Sequence, residues 1–372
     1  MRTKAAVVYA LNTPFVVKEV ELDPPKANEV LVHIAASGVC HSDWHHVVGD
    51  QVARLPMIFG HEGAGIVEAV GPEVHHVVPG DHVVMSYIPS CGKCHWCTAG
   101  KTNLCDLGAY LQQGSQIDGT NRFHDENGTE INQFNLVSTF SEYTVVPADS
   151  VIKVFDWIRL DRACLAACGV TAGVGTAIYA GGVTPGSTVM VWGCGGIGMN
   201  IVQGARLAGA RMIIACDTNE WKLEMAPKFG ATHTVNPDKV DAVKYANELT
   251  WGVGVDFAFE AIATPKTIGD AIRATSKAGT ATVIGLTRWD QPDVPFNPSD
   301  FVLWHKTLKG SLYGGANPRN DIPLMLSLWN QGLINIDDLV TREYPLEDIN
   351  QAYKDLLDGK NLRGVIKFPW YQ

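Results

Sequence analysis

The stretch TVMVWGCGGIG, residues 188–198, decides the fold. Five apolar or β-branched residues read as a buried strand, and the next six set Gly193, Gly195 and Gly198 in G-x-G-x-x-G register, with Gly196 and Ile197 completing the turn. In such a turn the first glycine makes the bend, the second lets backbone approach a pyrophosphate, and the third lets the helix pack on the strand. The helix N-terminus then faces the anion. The next strand, RMIIACD, ends at Asp217, about twenty residues beyond the last glycine, where an acid accepts hydrogen bonds from an adenosine ribose and repels a 2′-phosphate. NAD is therefore expected over NADP. A glycine-rich turn with no nucleotide is the alternative, and it leaves the agreement of strand, turn, helix and acid without a reason.

Outward from that turn, about Ala172 to Gly310, apolar strands alternate with helical patterns: TVMVWG, IGMNIVQGARLAGA, RMIIACD, EWKLEMAPKFGA, VDFAFEAI, TIGDAIRATSKAG and TATVIGL. Strict alternation means βαβ units, hence an α/β fold with a doubly wound parallel sheet. Before it, from residue 4 to about 90, short strands (KAAVVYA, EVLVHIAAS, GAGIVEAV, DHVVMSY) are divided by Pro and Gly signals, which predicts a β-rich region. The segment Lys101 to Ser138 is polar and aperiodic, and a loop of such length usually covers a site or a partner surface. Beyond about Ser311, IPLMLSLWNQG and LEDINQAYKDLLDG read as amphipathic helices with glycine stops, followed by a strand in LRGVIKF.

A chain of 372 residues exceeds what one hydrophobic core usually sustains, so two domains are expected. Apolar residues at 46% and charged residues at 18% suit a globular chain. A formal charge of −10 disfavours attraction to phosphate backbones or anionic lipid, so neither nucleic acid nor membrane is an expected partner. The start, MRTKAAVVYALNTPF, has no apolar core of a secretory signal, and no apolar run approaches a membrane span, so a cytoplasmic location is expected. In that reducing compartment nine cysteines are better suited to metal than to disulfides.

Four of them, Cys91, Cys94, Cys97 and Cys105, fall in SCGKCHWCTAGKTNLC. Four thiolates so closely spaced suit a closed tetrahedral zinc with no open coordination position, hence a structural role. An iron–sulfur cluster or idle thiols are the alternatives. A second set is dispersed: Cys40 in GVCHSDWHH, His61 and Glu62 in GHEGAG, and Cys168 in LAACGVTAGVG. Each alone reads as readily as a buried core residue. Beside a nicotinamide cofactor they make up the Cys, His, Cys set by which alcohol dehydrogenases are known to hold catalytic zinc, an established example and no deduction from this chain.

On these residues the chain resembles, over essentially its whole length, the zinc-dependent medium-chain alcohol dehydrogenases: GHEGAGIVEAVGPEV is similar to the family's zinc signature, and the four-cysteine lobe and GCGGIG fall in its order. The resemblance implies a discontinuous GroES-like, β-rich catalytic domain over 1–171 and 312–372, with its structural zinc lobe at 90–106, interrupted by a Rossmann cofactor domain over 172–311. It implies Cys40, His61 and Cys168 as ligands of a catalytic zinc with Glu62 as a near or transient ligand, and so two zinc ions per chain. It implies Asp43 as the acceptor that orients His61, Ser42 and His45 as a proton relay, Lys222 at the adenosine ribose, and His41 and Arg363 at the pyrophosphate. A solvated surface histidine is the other reading of His45. YLQQGSQIDGTNRFH, GSLYGGANPRNDIP and INQAYKDLLDGKNLRGVI further resemble the nitrosoaniline-dependent subgroup, which implies non-exchanging NAD re-oxidised by an external acceptor such as mycofactocin. Both metal patterns together with the glycine turn predict a primary alcohol as substrate, and the family resemblance implies a homodimer or homotetramer. Ala172 departs from the threonine many relatives carry there. The rival readings are a thiol-dependent formaldehyde dehydrogenase with exchangeable NAD, and a noncatalytic dinucleotide-binding protein.

Overall fold

Gly193 leaves the strand Thr188–Trp192 with φ of +89°, a conformation that L side chains rarely adopt, and the chain turns at once into the helix Gly196–Leu207. In the computed structural model, which describes residues 1–371 apart from 289, 291 and 292, this strand lies inside a six-stranded sheet. Its neighbours run in the order His233–Val235, Met212–Cys216, Thr188–Trp192, Val255–Glu260, Thr275–Val283 and Thr307–Gly310, every pair parallel. The strand order therefore reverses beside Gly193, the place where open parallel sheets bind their ligands. Every residue of Thr188–Trp192 is buried, as a strand covered on both faces must be. Met190, Trp192 and Ile214 pack there with Ile268 and Ile272 of the helix Pro265–Ala274. That helix starts where it does because Thr264 and Thr267 cap each other's backbone.

Three elements of this unit went unread in the sequence: the strands His233–Val235 and Thr307–Gly310, too short for a pattern, and the helix Ala242–Leu249, whose apolar positions Ala242, Ala246 and Leu249 repeat over only two turns. The helix expected over TIGDAIRATSKAG also stops early. It ends at Ala274, and Thr275–Gly279 belong to the strand Thr275–Val283, because β-branched Thr275 turns extended and pairs with Val255 ahead of an irregularity in register.

The other unit holds two β systems. A closed barrel joins Arg2–Val8, Val16–Leu22, Phe123–His124, Glu130–Gln133 and Met57–Ile58. Among the described residues a seven-stranded sheet runs Val151–Lys153, His82–Met85, Glu62–Val70, Glu29–Val39, Arg363–Lys367 and Val340–Tyr344, with Tyr143–Pro147 also on Glu29–Val39. The final strand thus pairs antiparallel with the third strand of the chain, Val365 opposite Gly38. Most of the segment 101–138 is not a free loop. Phe123–His124 and Glu130–Gln133 close the barrel, and Gln116, fully buried, donates to the Leu136 and Val145 carbonyls. Its polar composition hid this because the polar groups are bonded inward.

The chain divides into residues 1–169, 317–330 and 336–372 in one unit and 170–316 with 331–335 in the other. The domain limits expected from the sequence fall a few residues from these, and 331–335 cluster with the second unit where the first was expected. No single helix among the described residues is long and apolar enough to cross a membrane.

Candidate active site

The glycine turn carries its constraints in its packing. A side chain on Gly198 would overlap the Gly193 carbonyl, so only glycine lets helix and strand approach this closely. A Cβ on Gly195 would instead meet nothing within 4 Å, so backbone N–H groups at the helix start stay open to an anion. Asp217 follows the strand Met212–Cys216, and its carboxylate accepts from the Cys194 N–H at 2.7 Å and the Asn219 N–H at 2.9 Å. Each oxygen keeps a lone pair for a ribose hydroxyl. Lys222 is half-buried on the helix Glu220–Phe229, whose first turn the Asn219 side chain caps. These groups fit NAD. Ala172, 4% exposed, lies on the short helix Gly169–Gly175.

In the first unit, strand ends and one tight helix bring the dispersed set together. Cys40 is the extended residue before the helix His41–Val47, His61 the residue before the strand Glu62–Val70, and Cys168 closes the turn Cys164–Ala167. Candidate ligand atoms of Cys40, His61, Glu62 and Cys168 all lie within 4.8 Å of one another, and all four residues are buried. Asp43 is fully buried and accepts from Gly60 N–H and His61 Nδ1, each at 3.0 Å, which fixes the tautomer that leaves His61 Nε2 free to ligate. The hydrogen bond with Cys168, helped by the Arg363 and His61 charges and opposed by burial, draws the Cys40 thiol well below its ordinary value. Burial pushes the Glu62 carboxyl up to about 7 against the pull of Arg363.

The donor set itself tests the fit to a cation. Glu62 Oε1 accepts from the Gly169 N–H at 3.1 Å and faces Arg363 Nη2 at 3.3 Å, while buried Oε2 has no hydrogen-bond partner. Two thiols, an imidazole and a carboxylate with an unmet oxygen, gathered away from water, suit zinc. Gly38 makes room for that carboxylate, because a Cβ there would fill the space it occupies.

Expected at a pyrophosphate, Arg363 is found 4% exposed, with its guanidinium turned to Glu62 and Nη1 donating to the Val39 carbonyl at 3.3 Å. Ser42 lies beside Cys40, Oγ to Sγ 3.6 Å. His41 and His45 follow on the same helix, their ring centroids 4.9 Å apart, and His45 Nδ1 meets Asp50 Oδ2 at 3.0 Å. Asp50 escaped the sequence reading, as did Tyr87 and Phe134, whose rings stand edge-on to His61 at 5.5 and 5.8 Å. Phe134 belongs to the segment whose polarity had marked it as a loop. An aromatic residue ending that polar run was the available signal.

Cys91, Cys94, Cys97 and Cys105 also gather within 4.8 Å of one another. Their sulfurs stand 4.0 Å apart for Cys91 and Cys97 and 3.9 Å for Cys94 and Cys105. A tetrahedron with zinc–sulfur bonds of about 2.3 Å has edges of about 3.8 Å, so the spacing fits one ion and excludes disulfides. Backbone N–H groups of Asp106 and Cys97 bring Cys94 down to about 6, toward thiolate. All nine cysteines are free.

The family model for the alcohol dehydrogenase GroES-like domain matches residues 26–156, and that for zinc-binding dehydrogenases matches residues 196–331. An NDMA-dependent alcohol dehydrogenase of Amycolatopsis methanolica is 46% identical over 98% of this chain and 99% of its own. The S-(hydroxymethyl)glutathione dehydrogenase of Saccharomyces cerevisiae is 41% identical, covering 98% and 95%. Among solved structures, the benzyl alcohol dehydrogenase of Acinetobacter calcoaceticus superposes with a TM-score of 0.94 at 32% identity, covering 99% of each chain. The alcohol dehydrogenase zinc-binding domain protein of Burkholderia ambifaria gives 0.95 at 35% identity over 99% of each. The chain belongs to the zinc-binding medium-chain alcohol dehydrogenases, oxidoreductases that work on alcohols with NAD.

Proposed function

We propose that this protein oxidises primary alcohols to aldehydes, that it holds its NAD without exchange, and that an external redox acceptor such as mycofactocin regenerates the cofactor. The observation that carries the reading is the gathering of Cys40, His61, Glu62 and Cys168 in one buried cluster, in a chain 46% identical to an NDMA-dependent enzyme.

In this reading Cys40, His61 and Cys168 would hold a zinc ion, with Glu62 beside them. Zinc supplies Lewis-acid polarisation of the alcohol oxygen, and NAD supplies the hydride acceptor. The two thiolates offset the metal's charge. Asp43 keeps His61 in its ligating tautomer. Ser42 Oγ accepts the alcohol proton and His45, steadied by Asp50, receives it further out. Tyr87 and Phe134 exclude water around His61. Gly195, Asp217 and Lys222 hold the dinucleotide, and His41 lies toward its pyrophosphate, while Arg363 holds the Glu62 carboxylate. Cys91, Cys94, Cys97 and Cys105 would hold a second zinc that takes no part in the reaction. A homo-oligomer and a cytoplasmic location complete the proposal.

Denaturing freshly purified protein should release about one nicotinamide dinucleotide per chain, and turnover with NDMA should need no added NAD⁺. Protein that emerges empty and responds to added NAD⁺ overturns the non-exchange reading. A second reading has a specific basis in the 41% identity to the S-(hydroxymethyl)glutathione dehydrogenase: oxidation of a formaldehyde adduct of a small thiol. Formaldehyde turnover that appears only when such a thiol is added would favour it. A noncatalytic role accords poorly with a full set of ligands. Cys40→Ala or His61→Ala should abolish turnover and leave the nucleotide bound, whereas full activity in either variant would remove zinc from the chemistry.

A further inference from the structure

Beside the Cys40, His61 and Cys168 cluster, two buried polar atoms have no partner within hydrogen-bond geometry among the described residues: Asp43 Oδ2 and the Tyr353 hydroxyl. Asp43 spends its other oxygen twice, on Gly60 N–H and on His61 Nδ1. Tyr353 comes from the helix Ile349–Leu357 and is 1% exposed. Its ring stacks on Trp44 at 5.4 Å and on Phe15 at 5.0 Å, with Phe140 edge-on at 6.2 Å. Trp44 is the residue next to Asp43, so the tyrosine is laid against the turn of helix that carries the carboxylate. Those ring contacts explain an aromatic side chain at position 353. They do not explain a hydroxyl, for a phenylalanine would fill the same space without burying an unmet polar group.

Burial first, then the charges of Asp43 and Cys40, hold the Tyr353 hydroxyl protonated, well above its ordinary range, so it stands as a donor. An ionised carboxylate is only an acceptor. Each atom supplies what the other lacks.

We propose that Tyr353 is a positioning residue of the metal centre: its hydroxyl donates to Asp43 Oδ2, and His61 is held by a Tyr353, Asp43, His61 chain whose far end is the ligating Nε2. This rests on the reading of Cys40, His61 and Cys168 as zinc ligands. The chain does two things. It locks the carboxylate rotamer, so that Oδ1 stays on His61, and it draws off part of the carboxylate charge, so that less is passed to the imidazole. The partners behind a metal-ligating histidine commonly set metal affinity by ten- to a hundredfold.

The test uses the zinc-loaded enzyme and Tyr353→Phe, which keeps the ring and removes the oxygen. Zinc loss to a coloured chelator should show two phases, one for each site. In Y353F the Cys40, His61, Cys168 phase should be about tenfold faster or more, while the four-cysteine phase, an internal control, stays unchanged. With cobalt(II) in the catalytic site, the visible bands should shift. Asp43→Asn replaces one carboxylate oxygen by an amide nitrogen that cannot accept, so D43N should release zinc faster too, and Y353F/D43N should be no worse than D43N alone. Y353F with wild-type zinc retention and an unchanged cobalt spectrum overturns the proposal, as do additive effects in the double variant. If the wild-type enzyme gives up zinc in only the four-cysteine phase, the ligand assignment itself fails, and this inference with it.

Discussion

At the scale of single residues, two positions set the cofactor turn and each can be tested without reference to the metals. Gly198 sits where any side chain would run into the Gly193 carbonyl. Gly198→Ala should therefore cost about 1–3 kcal/mol by overpacking, seen as a lower unfolding midpoint in calorimetry, with less nucleotide in the purified protein. Asp217 already accepts two backbone N–H groups, which fixes its carboxylate before any ligand arrives. Replacing it with alanine should cut the NAD content and remove the bias against a 2′-phosphate, measured by identifying the nucleotide extracted from the variant. The residues that were legible in the sequence share one trait. Gly193, Gly195, Gly198 and the four lobe cysteines act through spacing along the chain, and spacing is written there. Asp50 and Tyr353 act through space: one meets His45 at 3.0 Å, the other packs on Trp44 from a helix some three hundred residues away, and no local pattern announces either.

At the scale of elements, the lobe Cys91–Cys105 carries little regular structure around its four sulfurs. Its one α-helical turn, His95–Thr98, is four residues long, too short to be stable by itself. Cys97→Ser should lower the zinc content from about two ions per chain to about one and expose this segment to protease. Because four protein ligands leave the ion no vacant position, alcohol turnover at low temperature should persist. Loss of turnover before any loss of folding would contradict a purely structural lobe. Other elements stood out in the sequence for different reasons: Thr188–Trp192 as an unbroken apolar run ahead of the glycine turn, Gly196–Leu207 as the helix that this turn opens, and Ile349–Leu357 because one buried face repeats along it. The strands closing the barrel did not: Phe123–His124 is two residues long, and Glu130–Gln133 alternates in burial but is polar apart from Ile131, so tertiary pairing makes them strands.

At the scale of the molecule, the parallel sheet ends in the strand Thr307–Gly310, which among the described residues has a neighbour on one side only. Around it Val302 and Leu303 are 73% and 78% exposed, and Trp304 and Leu308 are also exposed. An apolar sheet edge of that kind is a liability in water and is commonly covered by a second copy. Leu303→Asp with Leu308→Lys should shift the mass measured by light scattering toward a single chain, leaving zinc content unchanged; a wild-type protein already monomeric at micromolar concentration would rule out this edge as the interface. The opposite end of the chain has a consequence of another kind. Arg363, in the strand Arg363–Lys367, reaches back to Glu62, and that strand lies against Glu29–Val39. Cys40 and His61 thus rest on a strand that follows them by some three hundred residues. A chain lacking the strand Arg363–Lys367 would keep Cys40, His61 and Cys168 but lose the guanidinium that faces Glu62, so the cluster should gather only once that strand has paired with Glu29–Val39.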